Sequence, residues 1–224
     1  MLPDIILLDG PVGSGKGTQA NLLSQKFGYY QFGFGTELRD FVSEFASQPE
    51  HPNYAKAIEI EGILTRGDNV NPEDLLMVAG KKIEALIQAD QKIVIDSVKT
   101  MGAFEWLSDI TKGSNISGLL VQLYLDINVT LERLSHRYYA PHIKDLPFNS
   151  YEEALKHCLE GEAPIRRQDD QNVDRIYRQY ELYNENRDNI KHIMTETGDF
   201  KYLQISGFDS ILDVFDKILE YLEV

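Results

Sequence analysis

Apolar residues along this chain follow two rhythms. Residues 5–8, 92–95, 119–125 and 202–205 form short, nearly unbroken apolar runs, and residues 29–32 make a shorter fifth. Runs of this length suit strands buried on both faces of a parallel sheet. Elsewhere the apolar positions fall three and four apart, the spacing of one helix face. Examples are Leu38, Phe41, Val42 and Phe45; Leu131 and Leu134; and Ile211, Val214, Phe215, Ile218 and Leu222. Pro72 suits the first turn of a helix through Leu75, Leu76, Val78, Ala79 and Ile83. Strands alternating with helices predict an α/β fold. Its five-stranded parallel sheet is covered by helices on both faces, in three layers with right-handed crossovers. Ligands of such sheets bind beyond the carboxyl ends of the strands.

Two stretches break the alternation and read as insertions. Residues 33–75 are mostly helical, with a break at Gln48-Pro49-Glu50-His51-Pro52. Residues 138–167 carry Pro141, Pro147 and Pro164. The expected core is therefore residues 1–32, 76–137 and 168–224. Inside the second insertion, Ser150-Tyr151-Glu152-Glu153 has the form of a capping box opening a helix through Leu155, Cys158 and Leu159.

The sharpest chemical signal follows the first run. Gly10-Pro11-Val12-Gly13-Ser14-Gly15-Lys16-Gly17-Thr18 lies between a strand and a helix expected over residues 19–27. Glycines there let backbone N–H groups turn toward an anion, the helix start adds its positive dipole end, and Lys16 reaches the outer phosphates. The loop fits G-x-x-x-x-G-K, but Gly17 stands where Ser or Thr is usual, and the hydroxyl comes one residue later, on Thr18. A metal at this site leans on phosphate oxygens and water rather than on a side-chain hydroxyl. Asp96, at the end of the second long run, is placed to hold Mg²⁺ through its water shell.

Charge bears on this reading. The chain has 224 residues, 22 basic against 36 acidic, for a formal net charge of −14. Such a surface repels nucleic acid and anionic membrane, so cations for a polyanionic ligand must be gathered locally. No run is long enough to span a bilayer or to serve as a secretory leader. One cysteine, Cys158, excludes an intramolecular disulfide framework and suits a reducing cytoplasm. The five histidines lack metal-ligand spacing. The pairs Glu152-Glu153 and Asp169-Asp170 read as helix-surface charges rather than catalytic dyads.

The loop variant G-x-x-G-x-G-K-G-T-Q resembles that of the adenylate kinase family of nucleoside monophosphate kinases. The resemblance implies phosphoryl transfer from MgATP to a nucleoside monophosphate, AMP by default, with residues 33–75 as the monophosphate-binding lobe and 138–167 as the lid. Gly13, Ser14, Gly15, Lys16, Gly17 and Thr18 match the donor-phosphate loop. Asp96 matches the aspartate opening D-G-[FY]-P-R, although Ser97-Val98-Lys99 follows it, with Lys99 in place of the arginine. Ala103 stands where a glutamine reads adenine. Gly33-Phe34-Gly35-Thr36-Glu37-Leu38-Arg39 resembles S-T-G-D-x-L-R, so Arg39 implies an acceptor-phosphate ligand and Phe34 an acceptor-base contact, or else a core residue. Val70 matches the valine of G-x-x-V beside that base.

Arg133 and Arg137 lie four apart on one helix face and resemble x-x-R-x-x-x-R, which implies stacking on the donor base and contact with its phosphates. Arg166-Arg167-Gln168-Asp169-Asp170 resembles R-x-D-D. Arg167 then reaches the transferring group, Asp169 orients the arginines, and Arg178 is the second arginine, eleven residues on. Arg166 and Arg175 replace them if the helix is rotated. Gly207 matches a glycine beside the donor adenine. The family lid is a short β-hairpin, sometimes with four zinc-binding cysteines, and neither signature is present. The implied cofactors are ATP and Mg²⁺, the partners small nucleotides, and the state a cytoplasmic monomer. Two other readings stay open: a P-loop kinase for another small acceptor, and a nucleotide-binding protein without transfer activity.

Overall fold

The computed structural model describes residues 2–96, 98, 100–143, 147–197 and 200–224, residue 197 by its backbone alone. Five strands form one parallel sheet: β1 (Ile5–Asp9), β2 (Tyr30–Phe32), β3 (Ile93–Asp96), β4 (Gly118–Tyr124) and β5 (Phe200–Ser206). Their order is β2-β3-β1-β4-β5. All five expected runs are strands, displaced by one or two residues at their ends. β1 lies centrally because every one of its residues is buried. Its register pairs Leu8 with Asp96 on one side and with Val121 on the other. The carboxyl ends of β1 and β3 are thereby level, which sets Asp96 beside the glycine loop.

Strand alternation divides the core into two layers. Ile5, Leu7, Ile93, Ile95 and Leu120 face one layer, and Ile6, Leu8, Val94, Leu119 and Val121 face the other. The first layer is closed by α4 (Pro72–Gln88) through Leu75, Ala79 and Ile83, and by α5 (Met101–Thr111) through Ala103, Phe104 and Leu107. The second is closed by α1 (Lys16–Phe27) and α9 (Ile211–Leu222), whose Leu23, Val214, Phe215 and Ile218 are buried against the sheet. This is the three-layer α/β architecture expected. Capping follows the sequence: Asn71 Oδ1 accepts from Asp74 N at 2.8 Å with Pro72 next to it, and Ser210 Oγ accepts from Asp213 N at 3.1 Å.

Among the described residues, 33–75 and 138–167 contribute no strand to the sheet. The first holds α2 (Phe34–Phe45) and α3 (Tyr54–Arg66), which α6 (Ile127–Ser135) follows after β4. The second pairs Tyr138 with Phe148 and Tyr139 with Ile165 as antiparallel bridges, so strand-like pairing is present without a hairpin signature in the sequence. Its helix α7 (Tyr151–Leu155) is shorter than expected. Ser150 Oγ does accept from Glu153 N at 3.1 Å. Beyond Leu155, however, His157 and Cys158 donate three residues back, to Ala154 and Leu155, and the turn ends at Gly161 with φ +87°. Ala140, Phe148 and Ala154 form a small core of their own here. The longest helix among the described residues is α8 (Val173–His192), preceded by a 3-10 turn at Gln168–Asp170 and followed by a π-helical turn at Ile193–Thr197.

Candidate functional site

After Asp9 the backbone passes through Gly10 (φ +151°), Gly13 (φ +78°) and Gly15 (φ +96°). These conformations favour glycine, and at Gly10 a Cβ would also lie 2.5 Å from the Leu123 carbonyl oxygen. Gly15 is the residue before α1 and has no side chain with which to cap it. The first-turn N–H groups of α1, which begins at Lys16 rather than near residue 19, are therefore left to an anion. Lys16 Nζ folds over the loop and donates to the carbonyls of Gly10 and Pro11, both at 2.7 Å. Burial lowers its pKa to about 8, against the opposing pull of Asp9 and Asp96; Arg137 lowers it further. Asp9 is itself 6 % exposed and accepts from Gln122 Nε2 at 3.0 Å. Burial raises its pKa, while Gln122 and Lys16 act the other way.

Asp96 closes β3 and accepts from Gln31 Nε2 at 3.0 Å. Two glycines make room for it. A Cβ on Gly33 would lie 2.8 Å from Asp96 Oδ1, and one on Gly17 would lie 3.5 Å from Oδ2. The departure at Gly17 thus leaves space between the phosphate loop and a carboxylate, the donor type a Mg²⁺ hydration shell requires. Among the described residues no three His, Cys, Asp or Glu side chains converge on a metal position.

The arginines arrive from separate elements. Arg137 makes a two-pronged pair with Asp170, Nε to Oδ2 at 2.8 Å and Nη2 to Oδ1. Burial opposes its charge, but the Asp170 hydrogen bonds prevail and hold its pKa above the usual value. Arg167 lies over the Tyr139 ring, 4.3 Å from its centre. Arg133 Nη1 donates to the Gly13 carbonyl at 3.4 Å. Arg39 Nη2 donates to Thr36 Oγ1 at 3.2 Å. Arg39, Arg133, Arg137 and Arg167 line one cleft of about 1440 Å³ with the loop residues Gly13, Ser14, Gly15, Lys16, Gly17 and Thr18, and with Asp96 and Gly207. A side chamber of about 220 Å³ opens beside Arg39 and is walled by Leu38, Val42, Leu64 and Val70.

Two expected residues stand elsewhere. Phe34 is fully buried in the core, edge-on to Phe32 with centroids 5.2 Å apart, and lines neither cavity. It packs the helix it begins, which corrects the acceptor-base contact to the core reading. Phe34→Ala should lower the unfolding free energy by about 3–5 kcal/mol in urea titrations. A loss below about 1 kcal/mol would contradict that placement. Arg178 is directed to Asp68, which also accepts from Arg66 Nε at 3.0 Å, and lines neither cavity. Arg175 takes the inward position: it is 8 % exposed, donates to the Leu64 carbonyl at 3.1 Å and pairs with Asp169 at 3.2 Å. The eleven-residue spacing assumed continuous helix, but the turn at Gln168–Asp170 breaks the phase before α8 starts. Lys99 lies outside the described residues.

Two comparisons bear on this arrangement. The profile of a family described as an AAA domain matches residues 6–157, more than half of the chain. The adenylate kinase of Mycoplasmopsis pulmonis is 28% identical over 194 residues, covering 84% of this chain and 85% of the relative. The adenylate kinase of Brucella ovis is 32% identical over 133 residues, covering 59% of this chain and 64% of the relative. This chain belongs to the adenylate kinase family. As a member of it, the chain is a P-loop nucleotide kinase by kinship.

Against the adenylate kinase pattern, the surface-charge reading of the acid pair does not hold, whereas the resemblance itself implies that Asp169 orients the arginines. Asp169 and Asp170 are not helix-surface charges. Asp170 is 4 % exposed, and the two carboxylates hold Arg175 and Arg137 respectively. Their place after Arg166-Arg167, with Gln168 between, was the available signal. Asp9 was also missed, because an acid closing an apolar run resembles a turn residue. The register that buries it against Gln122 belongs to the assembled sheet.

Proposed function

We propose that this protein is a nucleoside monophosphate kinase that transfers the γ-phosphoryl group of MgATP to a nucleoside monophosphate, with AMP the default acceptor. The observation that carries the reading is the meeting, in one cleft, of the phosphate loop, Asp96 and arginines from α2, α6 and the segment before α8. In the reaction an acceptor phosphate oxygen bonds to the γ-phosphorus as the bond to the ADP oxygen breaks. The attacking oxygen is already anionic, so alignment and charge neutralisation carry the catalysis. Lys16 and the amides of residues 13–18 hold the donor phosphates. Arg39 holds the acceptor phosphate, with Lys99 as its proposed partner. Arg137, Arg167 and, in place of Arg178, Arg175 surround the transferring group. Asp96 holds the water shell of a Mg²⁺ ion, which supplies charge neutralisation across the donor oxygens when bound.

The side chamber takes the acceptor base, with Val70 on its wall. Residues 33–75 act as the monophosphate lobe and 138–167 as the lid, closing over the cleft to exclude water. The protein acts as a cytoplasmic monomer. One departure leaves the acceptor base open: Ala103 stands where a glutamine would read adenine.

A coupled assay with ATP and each common monophosphate tests the proposal. Turnover of at least one monophosphate is expected. ATP binding without phosphorylation of any would instead support a binder, and phosphorylation of a sugar acid would support a different acceptor class. A pH effect follows from Lys16. Its ammonium form, which attracts phosphate, predominates below about pH 8 and gives way above it. ATP affinity should therefore fall above that pH, by up to about tenfold per unit. Calorimetric titrations between pH 7 and 10 check this, and a flat profile would contradict it.

A further inference from the structure

Antiparallel pairing in the segment after α6 sorts two neighbouring arginines between two faces. Tyr139 and Ile165 exchange both backbone hydrogen bonds at 2.9 Å, and Tyr138 exchanges both with Phe148 at 2.9 and 2.8 Å. Successive side chains of such backbone point to opposite faces. Tyr138 and Arg166 share one face. There the guanidinium is 6.0 Å from the ring centre, and Arg166 Nη2 donates to the Leu134 carbonyl at 3.2 Å. Tyr139 takes the other face, is 2 % exposed and lines the cleft. Continued two residues along, the same register sets Arg137 across from Arg167. Both guanidinium groups lie over the Tyr139 ring, 5.7 and 4.3 Å from its centre.

Two cations set across from each other repel. Asp170 holds Arg137 by two hydrogen bonds, and the negative face of the Tyr139 ring attracts both cations. A guanidinium held by its face keeps its donors in plane, where they meet anion oxygens side-on. Burial raises the pKa of the Tyr139 phenol against the pull of Arg137 and Arg167, so the ring is uncharged at neutral pH. It therefore offers the arginines a π face and not a phenolate. We infer that Tyr139 is a positioning residue, whose ring keeps Arg137 and Arg167 convergent and aimed at the transferring phosphoryl group. This rests on the kinase reading above and extends it to a residue that acts through the arginines rather than on the substrate.

Coupled assays on the full-length chain test the inference, with a monophosphate that the wild type turns over. Tyr139→Phe keeps the ring and should hold kcat within about threefold of the wild type. Tyr139→Leu removes the π face and should lower kcat by roughly 10- to 30-fold, the scale of a desolvated cation–π pair. Leucine also changes packing, so a series of mono-, di- and trifluorophenylalanine at position 139 decides the matter. Fluorine withdraws charge from the ring face with little change of shape, and kcat should fall step by step from phenylalanine, by about 3- to 30-fold in all. A packing role alone would leave the series flat. A flat series, or full activity in Tyr139→Leu, would overturn the inference. If the wild type phosphorylates no monophosphate, the kinase reading fails, and the same series is read as calorimetric affinity for magnesium tripolyphosphate. A stepwise loss of affinity then supports the positioning role, and a flat series overturns it.

Discussion

Lys16→Ala is expected to lower the rate of phosphoryl transfer by ~10³-fold or more, the scale on which fixed cations act in this chemistry. The thermal midpoint should stay within a few degrees of the wild type. The two effects separate because Lys16 Nζ donates to groups of the loop itself, the carbonyls of Gly10 and Pro11 and the hydroxyl of Ser14, beside a wide cleft. Water takes over those acceptors when the ammonium is removed. Nothing replaces its charge at the donor phosphates. Steady-state kinetics at saturating monophosphate, beside a melting curve, read both quantities. A loss below about tenfold would remove the loop from the mechanism.

Arg137→Ala should cost both stability and rate. The side chain of Asp170 is 2% exposed and depends on Arg137 for its pairing. Leaving a buried carboxylate without its partner costs about 3–5 kcal/mol. For a domain of this size that corresponds to a fall in melting temperature on the order of 10 °C. Transfer should fall by ~10²-fold or more through the lost transition-state charge. The double variant Arg137→Met with Asp170→Leu distinguishes the two causes. Replacing the pair with apolar groups should recover most of the stability, since no charge is stranded. Activity should remain as low as in the single variant. If activity returned with stability, Arg137 would be a structural residue only.

The parts legible in the sequence were those set by local rules. The five apolar runs became strands because burial on both faces demands continuous apolar sequence, and the glycine loop announced itself because left-handed backbone demands glycine. Asp96 was legible because its strand pairs beside β1, which places its end next to that loop. The misplacements have local causes too. Arg178 was chosen by counting along an assumed helix, and three residues of 3-10 turn shifted the inward face to Arg175. Phe34 could face a pocket or the core on sequence alone. Its edge-on contact with Phe32, from the neighbouring strand, decides for the core. Asp170 looked like solvated charge because nothing local says that Arg137, more than thirty residues earlier, folds back to meet it, and only the resemblance implies an arginine partner for Asp169.

The carboxylates already seated on the guanidinium groups of the cleft have a consequence for which visitors can stay. Asp170 occupies Arg137 and Asp169 occupies Arg175, so an incoming anion gains only what it adds beyond these resident partners. A chloride or a simple carboxylate adds almost nothing. A chain of phosphates reaches Lys16, the α1 amides and several guanidinium groups at once, and the gains accumulate along it. The resident acids thus act as a threshold: in a solution crowded with small anions, they keep the cleft open for guests of high charge.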